Sequence, residues 1–263
     1  SLKGGRALFD LAVSRKVPIP FYGELGSVNP VVTLNSGLAD PRAFAGSYLD
    51  SLLLGNGQFC TKPSILFVPA DSLVVQEIAD QIKDRKATSF LSPGTKSAHD
   101  ANRLKLAKVL GATPIEGIND LGGAIYSSPA VIFTKIGATN SYRDALHIEC
   151  FGPTGIVVAY SNIAELILEI GLLEGALTGS LFAAEEDEAV VTVSRAIAKK
   201  VGRISWNSWP TGVAVSIGQQ HGGPYPASTS SLHTSVGLHA ISRFLRPVSY
   251  QNFPAKIATE LAL

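Results

Sequence analysis
Apolar positions recur along this chain in two rhythms that take turns, one near 3.6 residues and one of short, nearly unbroken runs. Residues 4 to 14 put Leu8, Leu11 and Ala12 on one helical face. Pro18 and Pro20 end that element, and Ile19 to Glu24 reads as a short strand. Asn29 to Leu34 is a second strand. Asp40-Pro41 opens a helix with a capping carboxylate followed by proline at the first helical position. That helix turns Phe44, Tyr48, Leu49, Leu52 and Leu53 toward a core, and Ile65 to Val68 follows as a strand. Asp71 is the expected cap of a helix burying Val74, Val75, Ile78 and Ile82. Ser97 to Leu110 reads as an amphipathic helix with Leu104 and Val109 among its apolar members. After an irregular, glycine-rich stretch from 111 to 129 come strands Ala130 to Phe133 and Gly155 to Tyr160, helix Ile163 to Leu173 and strand Leu177 to Ala183. A helix from Glu185 to Lys200 is expected to bury Val190, Val193 and Ile197, with Val201 at its end. Such alternation predicts an α/β fold, a mostly parallel sheet covered by helices. The last sixty residues break the rhythm. Asn207 to Ser231 is a long loop rich in Gly, Pro and Ser, a length that is usually functional or disordered. Ser242 to Phe253 then alternates like an edge strand, an element that commonly pairs with another chain.

Composition narrows the classes. The chain has 263 residues, enough for one large α/β unit or two smaller domains. Its 22 basic and 21 acidic residues nearly cancel, so charge makes no case for nucleic acid or an acidic membrane surface. Two cysteines do not make a disulfide framework, which points to a reducing, cytoplasmic setting. Glu165, Glu169 and Glu174 interrupt the best candidate for a membrane span, and the first residues lack the apolar core and cleavage site of a signal peptide. The chain contains no methionine and opens within what reads as a helix, as a piece of a longer protein would.

One junction concentrates the candidate chemistry. Gly55-Asn56-Gly57-Gln58-Phe59-Cys60-Thr61-Lys62-Pro63 joins an apolar helix to an apolar strand. Its glycines stop the helix, and Pro63 pushes Lys62 out of the helical region, so a lone thiol sits at a sharp turn on a rigid scaffold. Most free cysteines are simply buried small hydrophobes, and Cys60 read locally fits that role as well. Glu24, between Gly23 and Leu25-Gly26, reads alone as a solvated turn residue. His221, in Gln-His-Gly-Gly-Pro-Tyr-Pro-Ala-Ser, offers a different chemistry: a Cys–His pair would make a thiol hydrolase or acyltransferase with no need of a nicotinamide. The five histidines are scattered and no paired-cysteine spacing exists, so no metal site is expected. Nor does a phosphate-cradling glycine loop occur.

Three segments nevertheless stand in a telling order. Glu24 in Glu-Leu-Gly-Ser, Cys60 in Gly-Gln-Phe-Cys-Thr and Glu149 in Glu-Cys-Phe-Gly-Pro together resemble the aldehyde dehydrogenase superfamily, from about Gly4 to Pro254. The loop around His221, with Thr234-Ser235-Val236-Gly237 and Arg243-Phe244-Leu245-Arg246-Pro247-Val248, resembles the branch holding α-ketoglutaric semialdehyde dehydrogenases and NADP-dependent fatty-aldehyde dehydrogenases. The usual second glycine after the glutamate is Ser27 here, the usual lysine beyond it is Asn29 or absent, and the common Ser-Gly-x-Gly run is missing. The resemblance also implies that the chain is the catalytic half of such an enzyme. Residues 1–27 would be the remnant of a dinucleotide-binding domain, 28–228 the catalytic domain, and 229–263 a tail with an oligomerisation strand.

The chemistry implied is NAD- or NADP-dependent oxidation of an aldehyde. Cys60 as thiolate would attack the carbonyl carbon and carry a thioester after hydride transfer. Its backbone N–H would be one oxyanion donor, such donors being worth ~3 kcal/mol each; the other would come from an asparagine that this chain does not contain. Glu24 would activate the hydrolytic water, a task suited to a carboxylate of raised pKa in a partly dry site. Glu149 would hold the nicotinamide ribose and Phe151 would pack beside the ring, while Phe59 and His221 would face the substrate. Cys150 keeps the reading of a core residue. Without the dinucleotide region these residues are expected not to turn over aldehyde alone. The family's homodimers and homotetramers suggest the same assembly here, and a non-catalytic assembly fragment is the reading from another class.

Overall fold
The computed structural model describes residues 1–86 and 88–261. Seven strands form one sheet: β1 Asn29–Thr33, β2 Pro63–Pro69, β3 Ile115–Glu116, β4 Ala130–Lys135, β5 Thr154–Tyr160, β6 Ala176–Phe182 and β7 Val201–Trp206. Their order is β3-β4-β5-β2-β1-β6-β7, with every pair parallel except β3 and β4. The helices are α1 Leu2–Val13, α2 Pro41–Leu53, α3 Val74–Gln81, α4 Pro93–Leu110, α5 Tyr142–Ala145, α6 Ile163–Leu172, α7 Val190–Ala198 and α8 Ala255–Glu260. The expected α/β architecture is therefore the one observed.

The sheet is covered on both faces, which explains why its central strands read as continuous apolar runs rather than alternating ones. On one face Val32, Ile65, Phe67, Ile132 and Ile156 pack with Leu106 and Leu110 of α4, Leu166 and Ile170 of α6, and Val193 and Ile197 of α7. On the other, Val31, Leu66, Val68 and Val157 pack with Phe44, Tyr48 and Leu52 of α2 and Val74 and Ile78 of α3. Parallel pairing has a consequence for function: the segments leading into neighbouring strands all arrive at one end of the sheet. Asn29 pairs with Pro63 and Ile65 with Ile156, so the approaches to β1, β2 and β5 lie side by side.

Local chemistry sets the element ends. Asp40 caps α2 by accepting from the Ala43 N–H at 2.9 Å, with Pro41 at the first turn as expected. Ser92 caps α4 from Thr95 at 3.1 Å, and Gly111 closes it in the left-handed region at φ 60°. Several expectations fail for equally local reasons. Ile19 to Glu24 forms no strand, because Leu25 and Thr229 instead exchange backbone bonds with Ala227 and Gly23 around a single bridge, Glu24 to Ser228. Asp71 does not cap α3; the Ser72 hydroxyl accepts from Val74 there. Leu104 faces solvent at 72% exposure, and α4 turns Leu106 and Leu110 inward. The helix expected from Glu185 begins only at Val190, since Asp187 accepts from the Ala189 N–H and from the Ser36 hydroxyl, an alternative to helical bonding. Val201 opens β7, a strand the helix-period reading ran into. Ser242 to Phe253 is not a strand in this chain: a 3-10 helix spans Leu238–Phe244, and the following residues have no ladder to join. Pro247, within the segment, lacks the N–H such a ladder needs. Leu8 and Leu11 share a face as expected, but at 56% and 65% exposure it is an outward one, and of that trio only Ala12 is buried.

Candidate active site
Gly55, Asn56 and Gly57 take three successive left-handed conformations, at φ 58°, 59° and 66°, and so turn the chain sharply between α2 and β2. Asparagine tolerates that region better than most residues, and its Oδ1 accepts from the Thr88 N–H at 3.1 Å. Gly57 is required twice over, since a Cβ there would lie 2.2 Å from the Gly152 carbonyl oxygen. The turn thus presses directly on the segment that precedes β5.

Polar side chains lock the two together. Asn29 Nδ2 donates to the carbonyls of Cys60 (2.8 Å) and Lys62 (2.9 Å), while its Oδ1 accepts from Ser27 and from the Thr178 N–H. Lys62 is buried, and its ammonium donates to the carbonyls of Cys150, Gly152 (3.0 Å) and Thr154 (2.9 Å). Burial lowers its pKa, with Cys150 and Glu149 pulling the other way. Three carbonyl dipoles are a fixed solvation shell for a cation that water cannot reach. Asn102 Nδ2 donates to the Glu149 carbonyl at 3.0 Å, and His99 Nε2 meets Thr154 Oγ1 at 2.8 Å. Desolvation drives His99 down to about 4 despite its contact with Asp100, so near neutrality it is uncharged.

Cys60 is exposed at the mouth of this assembly, and the long C-terminal loop brings His221 to it. The His221 Nε2 lies 3.6 Å from Cys60 Sγ and 3.3 Å from Glu24 Oε2. Glu24 Oε1 accepts from the Ser235 hydroxyl at 2.5 Å, and Thr234 Oγ1 accepts from the His221 N–H at 2.8 Å. His221 is itself buried. Hydrogen bonding with Cys60, then with Glu24, raises its pKa to about 9, against the effect of burial. Glu24 is displaced downward, chiefly by the bond with His221, so it is ionised. That direction is opposite to the raised carboxyl expected for a water-activating base. The reason is the imidazolium beside it, which sequence distance gave no means of placing.

A cleft of about 640 Å³ opens beside the thiol, lined among others by Glu24, Ser27, Cys60, Thr95, His99, Glu149, Phe151 and Leu177. Glu149 Oε1 accepts from the Ser27 N–H at 3.3 Å, and Phe151 is half-buried on the cleft wall. Phe59 is exposed next to the nucleophile candidate. No hydrogen bond among the described residues uses the Cys60 N–H, which leaves it available as a donor to an oxyanion. Cys150 is a free, buried thiol whose pKa is raised by desolvation, with Sγ 3.6 Å from the His99 carbonyl; the reading of a core residue describes it well. The structure therefore brings Cys60, Glu24, Glu149, Phe151 and His221 to one end of the sheet. Sequence reasoning missed Lys62, Asn29 and Ser235. A lysine directly before Pro63 in an otherwise apolar strand entry is the one signal that was available for the first of these.

The chain has relatives among known proteins. The family model described as "Aldehyde dehydrogenase family" matches residues 5–248. Alpha-ketoglutaric semialdehyde dehydrogenase 2 of Azospirillum brasilense is 36% identical over 272 residues, covering 99% of this chain and 50% of the relative. Alpha-ketoglutaric semialdehyde dehydrogenase of Acinetobacter baylyi is 36% identical over 257 residues, covering 96% and 49%. This chain thus spans about half the length of the curated relatives it matches. Among solved structures, a 1-pyrroline-5-carboxylate dehydrogenase superposes with TM-score 0.77 at 20% identity, covering 94% of this chain and 48% of that one. An indole-3-acetaldehyde dehydrogenase in complex with NAD+ does so with TM-score 0.74 at 20% identity, covering 93% and 49%. By its sequence from residue 5 to residue 248, this chain belongs to the aldehyde dehydrogenase family.

Proposed function
We propose that the protein oxidises an aldehyde to a carboxylic acid with NAD or NADP, through a covalent intermediate on Cys60. The observation that carries this reading is the exposed thiol beside a buried imidazole, at the edge of a cleft that also presents Glu149 and Phe151. His221 Nε2, 3.6 Å from Sγ, takes the thiol proton. The resulting thiolate attacks the carbonyl carbon, and the Cys60 N–H stabilises the oxyanion, a donor worth ~3 kcal/mol in such sites. Glu149 and Phe151 would hold the ribose and flank the nicotinamide ring, and the cleft wall they form suits that end of the cofactor. Bound there, NAD(P) supplies the hydride acceptor. With hydride removed from the thiohemiacetal carbon, Cys60 would carry a thioester; water would then release the acid, and the proton held by His221 would return to the leaving sulfur to restore the thiol. Glu24, ionised and open to the cleft, accepts the proton of that water.

The semialdehyde of α-ketoglutarate is the proposed substrate, on the strength of the two curated relatives at 36% identity. A homodimer or homotetramer is the proposed assembly, supported by the outward apolar side chains of Leu238, Ile241, Phe244, Leu245, Val248 and Phe253, and light scattering reads it directly. A cytoplasmic, reducing setting belongs to the same proposal, because it keeps Cys60 free. No helix among the described residues is long and apolar enough to cross a membrane. The 263 residues alone are proposed not to sustain turnover, and tight stoichiometric NAD(P)H binding by them would contradict this.

A second reading is favoured by one contact. Cys60 and His221 form a Cys–His pair, which suits thioester or ester hydrolysis without nicotinamide, although Glu24 meets the same Nε2 as the thiol and does not orient the ring through Nδ1 as a triad carboxylate does. One set of variants in the full-length protein separates the two. Cys60→Ala removes NAD(P)-dependent aldehyde oxidation; normal turnover by that variant would overturn the proposal. Glu24→Gln slows hydrolysis of the acyl-thioester more than its formation, whereas hydrolysis lost only in His221→Ala favours the hydrolase.

A further inference from the structure
His221 Nε2 is the shared vertex of two short contacts, 3.6 Å to Cys60 Sγ and 3.3 Å to Glu24 Oε2, and the three donor atoms all lie within 4.8 Å of one another. The two short contacts match the ligand–ligand edges of a tetrahedral zinc site. With Zn–S about 2.3 Å, Zn–N about 2.05 Å and Zn–O about 2.0 Å, tetrahedral angles put S and N about 3.6 Å apart and N and O about 3.3 Å apart. We propose that Cys60 Sγ, His221 Nε2 and Glu24 Oε2 form a three-ligand Zn2+ site whose occupancy caps the thiol and reversibly silences it. Scattered positions 24, 60 and 221 gave the sequence no spacing by which to announce such a site.

The surroundings hold the ligands in place. The Ser235 hydroxyl engages Glu24 Oε1 and leaves Oε2 for the metal. His221 is fixed through its main chain, its N–H donating to Thr234 Oγ1 and its carbonyl accepting from the Ser235 N–H at 2.8 Å. Partners of this kind orient metal ligands and sharpen affinity. One thiolate, one imidazole and one carboxylate suit Zn2+ far better than Mg2+ or Ca2+, which prefer all-oxygen shells. Cys60 and Glu24 are exposed, so Zn2+ has a path in and a fourth position open to water. The step is an exchange without oxidation: a Zn–S bond replaces the S–H bond, a Zn–N bond replaces any proton on Nε2, and the protons leave to solvent. A sulfur lone pair committed to zinc is lost to a carbonyl carbon or an alkylating agent. The site requires only the observed geometry and does not rest on the dehydrogenase reading.

The test uses the 263-residue chain, freed of metal by a chelator that is then removed. Titration with Co2+ is expected to give a sulfur-to-metal charge-transfer band and four-coordinate visible bands that saturate at one equivalent. One equivalent of Zn2+ should erase those bands and slow iodoacetamide labelling of Cys60 at least ~10-fold, with labelling restored by EDTA. His221→Asn and Glu24→Gln should each weaken Zn2+ binding by at least ~10-fold, a loss that changes around a metal site typically produce. Cys60→Ser should keep its circular dichroism and lose the charge-transfer band. Absence of that band in the wild-type chain, its survival in Cys60→Ser, or Zn2+ bound while Cys60 labels at its metal-free rate would each overturn the proposal. Failure would leave aldehyde oxidation untouched, since that is read from Cys60→Ala turnover in the full-length protein.

Discussion
At the scale of single residues, the site depends on charges that are held rather than merely present. Lys62 illustrates this best. Its ammonium sits among three carbonyls of residues 150 to 154, and so ties the nucleophile's own turn to the segment bearing Glu149 and Phe151. Lys62→Met keeps the length of the side chain but leaves those carbonyls without a donor. The expected cost is ~2–4 kcal/mol in denaturant unfolding. On the proposed dehydrogenase reading, the KM for nicotinamide cofactor in the full-length protein should rise more than the KM for aldehyde, because Glu149 and Phe151 lose their tether. Equal stability of Lys62→Met and wild type would show that the cradle contributes nothing. His221 shows the complementary case, an imidazole whose pKa is raised by two partners far away in sequence, Cys60 and Glu24.

Among elements, the geometry of turns outweighs that of helices in placing the chemistry. Gly57 lies against the Gly152 carbonyl at a positive φ, so Gly57→Ala combines backbone strain with a clash. It should destabilise by more than ~2 kcal/mol, against about 1 kcal/mol for Gly122→Ala, which has positive φ but open space around it. Denaturant titration of the two variants makes the comparison; equal losses would mean that the close approach carries no weight. These same turns mark how far the sequence could be read. Helices and strands were legible where the period was strong, as in α2 with its Asp40-Pro41 start and in the apolar runs of β2 and β5. Cys60 and Glu24 could be singled out in the sequence because Glu24 follows Gly23 and Cys60 closes the turn that Gly55 and Gly57 open. His221 was singled out too, but not its place beside Cys60, since that depends on where a twenty-five-residue loop returns, and no periodicity governs that loop. Lys62 and Asn29 were overlooked because their roles are in main-chain contacts, which leave no motif. The strand at 242–253 failed because alternation records a preference for pairing without supplying the partner.

For the whole molecule, burial of polar groups sets a pH range. His99 is driven to about 4 by desolvation, below the 6.5 of an exposed imidazole. Between those values the unfolded chain binds a proton that the folded chain does not, so stability falls as pH drops from 6.5 toward 4. The shift corresponds to at most ~3 kcal/mol. Asp100, held at about 2 with Lys96, Ser127 and His99 as its partners, adds a further loss below about 4. Unfolding free energies across pH 4 to 7 should show this slope, and His99→Gln should flatten it. A wild-type slope unchanged by His99→Gln would place the proton uptake elsewhere.

The whole scheme turns on Cys60 being an activated nucleophile in the company of His221. The direct measurement is brief labelling with iodoacetamide at pH 7, quenched at intervals and mapped by peptide mass spectrometry, on the wild-type chain and on His221→Ala. Cys60 is exposed and Cys150 is buried with a raised pKa, so Cys60 should label faster, and His221→Ala should slow Cys60 by about 10-fold while leaving Cys150 unchanged. Equal labelling of the two thiols, labelling of Cys150 alone, or a Cys60 rate indifferent to His221 would contradict it.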